Sequence, residues 1–151
     1  EDGLWNAAVD YDFECLYDNA LLMRVASNNH LLQGIRFIGE TGWVHVTRAD
    51  LKTDPADLRK AKIGPNEIHL PKPAGDNRQG HRRDFLDSVK TRRATIAPAE
   101  VGHRSATVSH LGNIAMILGR KIRWDPKREQ IIDDPSANRM LGCAMRSPWH
   151  L

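Results

Sequence analysis

Tyr11-Asp12-Phe13-Glu14-Cys15-Leu16-Tyr17 sets Tyr11, Phe13, Cys15 and Tyr17 on one side of an extended chain, with Asp12 and Glu14 on the other. Alternation with period two is the mark of a half-buried β-strand. Asp18-Asn19 follows, two residues that tolerate positive φ, so a hairpin is predicted. Leu21 to Ala26 returns as the second strand. It is apolar on both faces apart from Arg24, which predicts a central place in the sheet.

Working outward, Ser27-Asn28-Asn29-His30 is a polar break, and Gly34 to Ile38 reads as a third strand. Gly39-Glu40-Thr41-Gly42 turns the chain into Trp43-Val44-His45-Val46-Thr47, a fourth strand rich in β-branched residues. Asp54-Pro55 is read as an N-cap with proline at the first helical position, opening a short helix to about Lys60. Glu67 to Leu70 is expected as a fifth, edge strand ended by Pro71. Residues 71–80 form a loop with almost nothing to bury.

From here the period changes. His81 to Arg93 carries Phe85, Leu86 and Val89 on one helical stripe with basic residues opposite. Pro98 opens a helix running to about Arg120, along which Gly102, Ala106, Ser109, Gly112, Ala115 and Gly119 recur at spacings of three or four. Each internal glycine costs about 1 kcal/mol against alanine, so the stripe predicts close backbone approach. Val101, Val108, Leu111 and Leu118 flank it. Trp124-Asp125-Pro126 stops the segment, Asp134-Pro135 opens a last short helix through Leu141, and the tail Arg146-Ser147-Pro148-Trp149-His150-Leu151 is extended. Strands first and helices after predict an α+β fold: an open, mostly antiparallel sheet with helices packed on one face. Residues 1–151 are read as one domain, whose uncovered sheet face is a natural subunit interface.

Composition bounds the function classes. The 151 residues are 40% hydrophobic and 27% charged, an ordinary globular balance. No apolar run approaches the roughly 18–20 residues of a membrane-spanning helix. Two cysteines, Cys15 and Cys143, are too few for a disulfide framework. Residues 1–50 carry three basic and eight acidic side chains, whereas residues 81–128 carry eleven and four. A basic half of this kind fits nucleic acid or a solvated helix face; the sparse aromatics favour the face, and neither a nucleic-acid nor a membrane partner is expected.

The catalytic patterns are thin. The sequence has no Gly-x-Gly-x-x-Gly, no phosphate-binding loop, no Cys-x-x-Cys and no His-Glu-x-x-His. His103 and His110 share a helix face about 10 Å apart, too few ligands for a metal site. Ser105, His110 and Asp125 contain the residue types of a nucleophilic triad but lack a nucleophile elbow. Cys15 reads as a small core hydrophobe, and Cys143 has only Arg146 nearby to lower its pKa. Trp43, Trp124 and Trp149 are amphipathic anchors for core, sheet edge or interface. No catalytic, cofactor-binding or metal residue is assigned.

Five segments together carry a resemblance: Gly34-Ile35-Arg36-Phe37-Ile38-Gly39-Glu40-Thr41-Gly42-Trp43-Val44; Ala97-Pro98-Ala99-Glu100-Val101-Gly102-His103-Arg104-Ser105; Leu111-Gly112-Asn113-Ile114-Ala115; Trp124-Asp125-Pro126; and Arg146-Ser147-Pro148-Trp149. The chain resembles the C-terminal domain of Gfo/Idh/MocA-type oxidoreductases, of the kind found in planctomycete-like bacteria. The resemblance implies an enzyme in two parts. An N-terminal Rossmann domain binds NAD or NADP. A C-terminal α/β domain supplies an open sheet for oligomerisation and one wall of a pocket for sugars or polyols. The family's dinucleotide fingerprint, its Glu-Lys-Pro motif and its Asp-x-x-x-His pair have no counterpart here. Lys72-Pro73 lies in a loop without the glutamate, and Asp76 and His81 are five apart. All three features are expected to precede Glu1, so no catalytic residue is carried over.

The reading is therefore a homo-oligomeric C-terminal substrate and assembly domain of an NAD(P)-dependent oxidoreductase, not competent alone. A stand-alone oligomerisation or carbohydrate-binding module is the alternative. The compartment is not read from the sequence: it is cytoplasmic, or exported if a twin-arginine leader, common among relatives of this type, precedes Glu1.

Overall fold

The computed structural model describes residues 8–70, 72, 77–143 and 145–148, the side chains of Asn77 and Arg78 excepted. Trp149 and Asp76 lie outside the described residues. Among the described residues the fold is α+β, with antiparallel strands and three α-helices. Described residues up to Ser27 pack with those from Ala99 onward, and Asn28–Pro98 form a second contact unit.

In the first unit, β1 (Asp12–Leu16) pairs antiparallel with β2 (Leu22–Ala26). Phe13 faces Val25 and Cys15 faces Met23, which puts the half-buried residues of both strands on one side. The loop between them closes by Tyr17 N–H to the Leu21 carbonyl (3.0 Å) and Ala20 N–H to the Tyr17 carbonyl (2.9 Å). Asn19 Oδ1 accepts from Leu21 N–H, but the left-handed residue is Ala20, at φ 63°. The expected turn is present, with its strained position one residue later than Asp18-Asn19 suggested. Arg24 Nε donates to Asp12 Oδ1 at 2.8 Å across the outer face.

Helix α2 (Ala99–Leu118) crosses β1. Gly112 is buried, and the Phe13 ring occupies the space a side chain at that position would need. The helix ends at Gly119, φ 62°. Gly119 N–H donates to the Met116 carbonyl and Arg120 N–H to the Ala115 carbonyl, both at 3.2 Å. This is a Schellman closure, which glycine adopts without a Cβ penalty. The small-residue stripe is thus only partly a packing seam: Gly102 meets nothing within 4 Å.

Beyond the helix, β6 (Trp124–Asp125) pairs with β7 (Gln130–Ile131), a hairpin where the sequence suggested a stop. Asp125 Oδ1 accepts from Lys127 N–H (2.9 Å) and Arg128 N–H (3.1 Å), and Glu129 takes φ 53° to close the turn. Asp134 caps α3 (Pro135–Asn138) by accepting from Ala137 N–H, as the Asp134-Pro135 signal predicts, and a 3₁₀ turn completes the segment at Leu141. Asn138 mimics a neighbouring strand: its Oδ1 accepts from Ile131 N–H while its amide donates back to the Ile131 carbonyl. Ile114, Ile131 and Ala137 form the buried core, with Leu111, Leu118, Ile122, Trp124 and Met140 packed around them.

In the second unit, β3 (Ile35–Gly39), β4 (Gly42–Val46) and β5 (Leu51–Asp54) form an antiparallel sheet in that order. Two expectations are corrected here. The fifth strand is Leu51–Asp54, not 67–70. Thr47 Oγ1 accepts from the N–H groups of Ala49 and Asp50 and folds the chain straight back onto β4. Residues 67–70 instead follow a local turn, in which the Glu67 carboxylate accepts from Gly64 N–H, and Ile68 and Leu70 are exposed. Asp54 therefore ends a strand rather than capping a helix; Pro55 precedes the 3₁₀ turn Ala56–Lys60.

Helix α1 (Asn77–Thr91) begins four residues earlier than predicted. Its inward side chains are Asp84 and Ser88, while Phe85, Leu86 and Val89 are exposed, the reverse of the expected orientation. The buried Asp84 carboxylate receives Ile96 N–H (2.9 Å) and Arg93 Nη2 (2.7 Å), which meets the cost of burying a charge. Among the described residues the strands also divide among three sheets. β2 is therefore not central; among the described residues β1 is its one partner.

Candidate functional site

One cluster of polar side chains in the first unit joins the start of α2 to the β6–β7 turn. One helical turn separates Glu100 from Arg104, so Arg104 Nε donates to Glu100 Oε1 at 2.7 Å. Arg104 Nη1 reaches across to the Pro126 carbonyl (3.0 Å) and to Glu129 Oε1 (3.1 Å). His103 Nε2 donates to the same Glu129 oxygen at 2.9 Å. Glu129 itself holds a left-handed backbone, φ 53°. The His103 hydrogen bond, with the charges of His103 and Arg104 behind it, holds the Glu129 carboxyl below the usual glutamate range.

Chemically this arrangement is a clamp. Glu129 is ionised at neutral pH and already engaged by two donors, so it is not poised as a general acid. All three side chains are near half exposed, so water and salt screen these pairs and they add little to stability. A second clamp lies at the other end of α2. Arg120 Nε and Nη2 bind both oxygens of Asp134 at 2.8–3.0 Å, and Ser136 Oγ donates to Asp134 Oδ1. The Ala137 N–H, then Ser136 and Arg120, hold the Asp134 carboxyl down to about 2. Asp134 was legible as an N-cap; its pairing with a residue just past a helix-ending glycine, fourteen positions away, was not.

The residues considered for catalysis do not converge. Ser105 Oγ donates to the Val101 carbonyl within its own helix at 2.8 Å. His110 lies five residues further on, about 140° around the helix from Ser105. Asp125 is held by turn amides, chiefly that of Arg128, which keep its carboxyl below the usual aspartate range. His103 binds Glu129 and is not joined with His110 in a ligand set. Among the described residues no group of three or more His, Cys, Asp and Glu side chains is arranged to hold a metal ion. Cys15 is half-buried on the side of β1 that carries Phe13, and desolvation pushes its thiol up, as for a core side chain. Cys143 is exposed. Trp124 packs against the core, and Trp43 lies beneath the Arg36 guanidinium, 4.8 Å from the ring centre. Lys72 is exposed, and His81 sits on α1 rather than in a loop. Among the described residues no helix is long and apolar enough to cross a membrane.

Residues 55–151 match the family described as oxidoreductase family, C-terminal alpha/beta domain, of Gfo/Idh/MocA type. The chain belongs to that family. No curated protein and no solved structure matches it. The matched span begins at Pro55 and takes in α1, α2, the β6–β7 hairpin and α3. Both clamps therefore fall inside the Gfo/Idh/MocA C-terminal match, as do four of the five sequence segments that carried the resemblance. The segment Gly34–Val44 lies outside it.

Proposed function

We propose that this chain is the substrate-binding and oligomerisation part of an NAD(P)-dependent oxidoreductase acting on sugars or polyols, and that it does not catalyse by itself. The observation that carries the reading is membership of the Gfo/Idh/MocA family through its C-terminal domain. The exposed apolar side chains of β3 give the assembly role its physical support. Ile35 and Phe37 are 61% and 63% exposed on one sheet face, beside their cross-strand partners Val46 and Val44 of β4. Exposed apolar patches beyond a few hundred Å² usually mark an interface.

The residues described do not fit a dinucleotide cradle. Such a cradle needs glycines between a strand and the positive N-terminal end of a helix. Gly112 instead sits mid-helix under Phe13, Gly119 closes a C-terminal end, and Gly39 and Gly42 pair across a hairpin. The cofactor and the hydride transfer are accordingly assigned to a separate dinucleotide-binding part, and no catalytic step is drawn through this chain's residues.

Calorimetry tests the division of labour. The chain alone is expected to show no NAD(H) or NADP(H) binding at micromolar concentration, whereas the intact enzyme binds one of them and oxidises or reduces members of a sugar and polyol panel. Micromolar binding to the chain alone would overturn the assignment of the cofactor. An intact enzyme that turns over no member of the panel would overturn the substrate class.

A further inference from the structure

We draw no further inference here: the strongest candidate, the exposed apolar face of the β3–β4–β5 sheet around Ile35, Phe37 and Val46, belongs to the assembly role already proposed, and nothing in the structure shows what else covers it.

Discussion

Gly102 and Gly112 are ten residues apart on one helix, and the sequence treats them alike. The structure separates them. A methyl group at Gly102 meets open space, while one at Gly112 enters the Phe13 ring. Gly102→Ala is expected to stabilise the protein by about 0.5–1 kcal/mol, because alanine is the better helix former and nothing opposes it. Gly112→Ala is expected to destabilise it, and Gly112→Leu by about 1–3 kcal/mol, because Phe13 must leave its seat. Urea midpoints of the variants give the signs directly; equal shifts at the two sites would mean that the β1 hairpin does not rest on α2. Ala20 presents the opposite case, a residue with a Cβ held at φ 63°. The left-handed conformation costs a non-glycine residue roughly 1–2 kcal/mol, so Ala20→Gly should recover up to about 1 kcal/mol. A thermal midpoint unchanged or lowered in Ala20→Gly would show that the turn is not held in that conformation. The sequence pointed to this turn through Asp18-Asn19. It did not show which residue takes positive φ, because that depends on the register of the strands on either side.

At the scale of elements, two polar clamps fix the segment C-terminal to α2. The first, His103 and Arg104 on Glu129, holds the β6–β7 turn against the helix start. The second, Arg120 on Asp134, joins the end of α2 to the cap of α3. Asp134 has a pH signature. Its carboxyl titrates near 2 in the folded chain, below the ordinary aspartate value. A group whose folded pKa is depressed contributes stability that is present above its unfolded pKa and lost as pH falls toward the folded one. The Asp134 contribution is therefore complete above about pH 4 and declines between about pH 4 and pH 2. Asp134→Asn, an uncharged residue that still caps, is expected to lower the thermal midpoint at pH 7 and to flatten its fall across that acid window. A variant whose acid limb parallels the parent's would remove Asp134 from the linkage. Asp134-Pro135 is readable in the chain as the start of an element, whereas Gly119 reads there as one more member of the small-residue stripe, and only the structure shows it closing α2. The bonds between these elements were not legible. His103 to Glu129 spans 26 residues, and only the folded path of the β6–β7 turn brings them within hydrogen-bond reach.

For the whole molecule, the question is what the apolar surface is for. Ile35, Phe37 and Val46 on the sheet, Leu16 and Leu22 on the outer side of the β1–β2 hairpin, and Phe85, Leu86 and Val89 on α1 are all exposed. Self-association is the expected consequence, and sedimentation at micromolar concentration should return at least twice 17.0 kDa. A monomer unchanged to about a hundred micromolar would refute the assembly role. Ile35→Lys and Phe37→Lys separate the surfaces: they should dissociate the oligomer if the β3–β5 sheet is the contact, and leave it intact if another face is. The sequence by itself determined the α+β class, most of the strands, the helix spans to within a few residues, and the family. Those come from hydrophobic period, proline and glycine punctuation and local motifs, which act over a few residues at a time. Only the tertiary structure decided that the strands divide among separate sheets, that Leu51–Asp54 and not 67–70 is the fifth strand, and that α1 buries Asp84 and Ser88 while exposing its apolar stripe. Strand partners and the inward side of a helix are set by surfaces brought together from distant parts of the chain. A period gives the stripe along a helix but leaves open which surface will meet it.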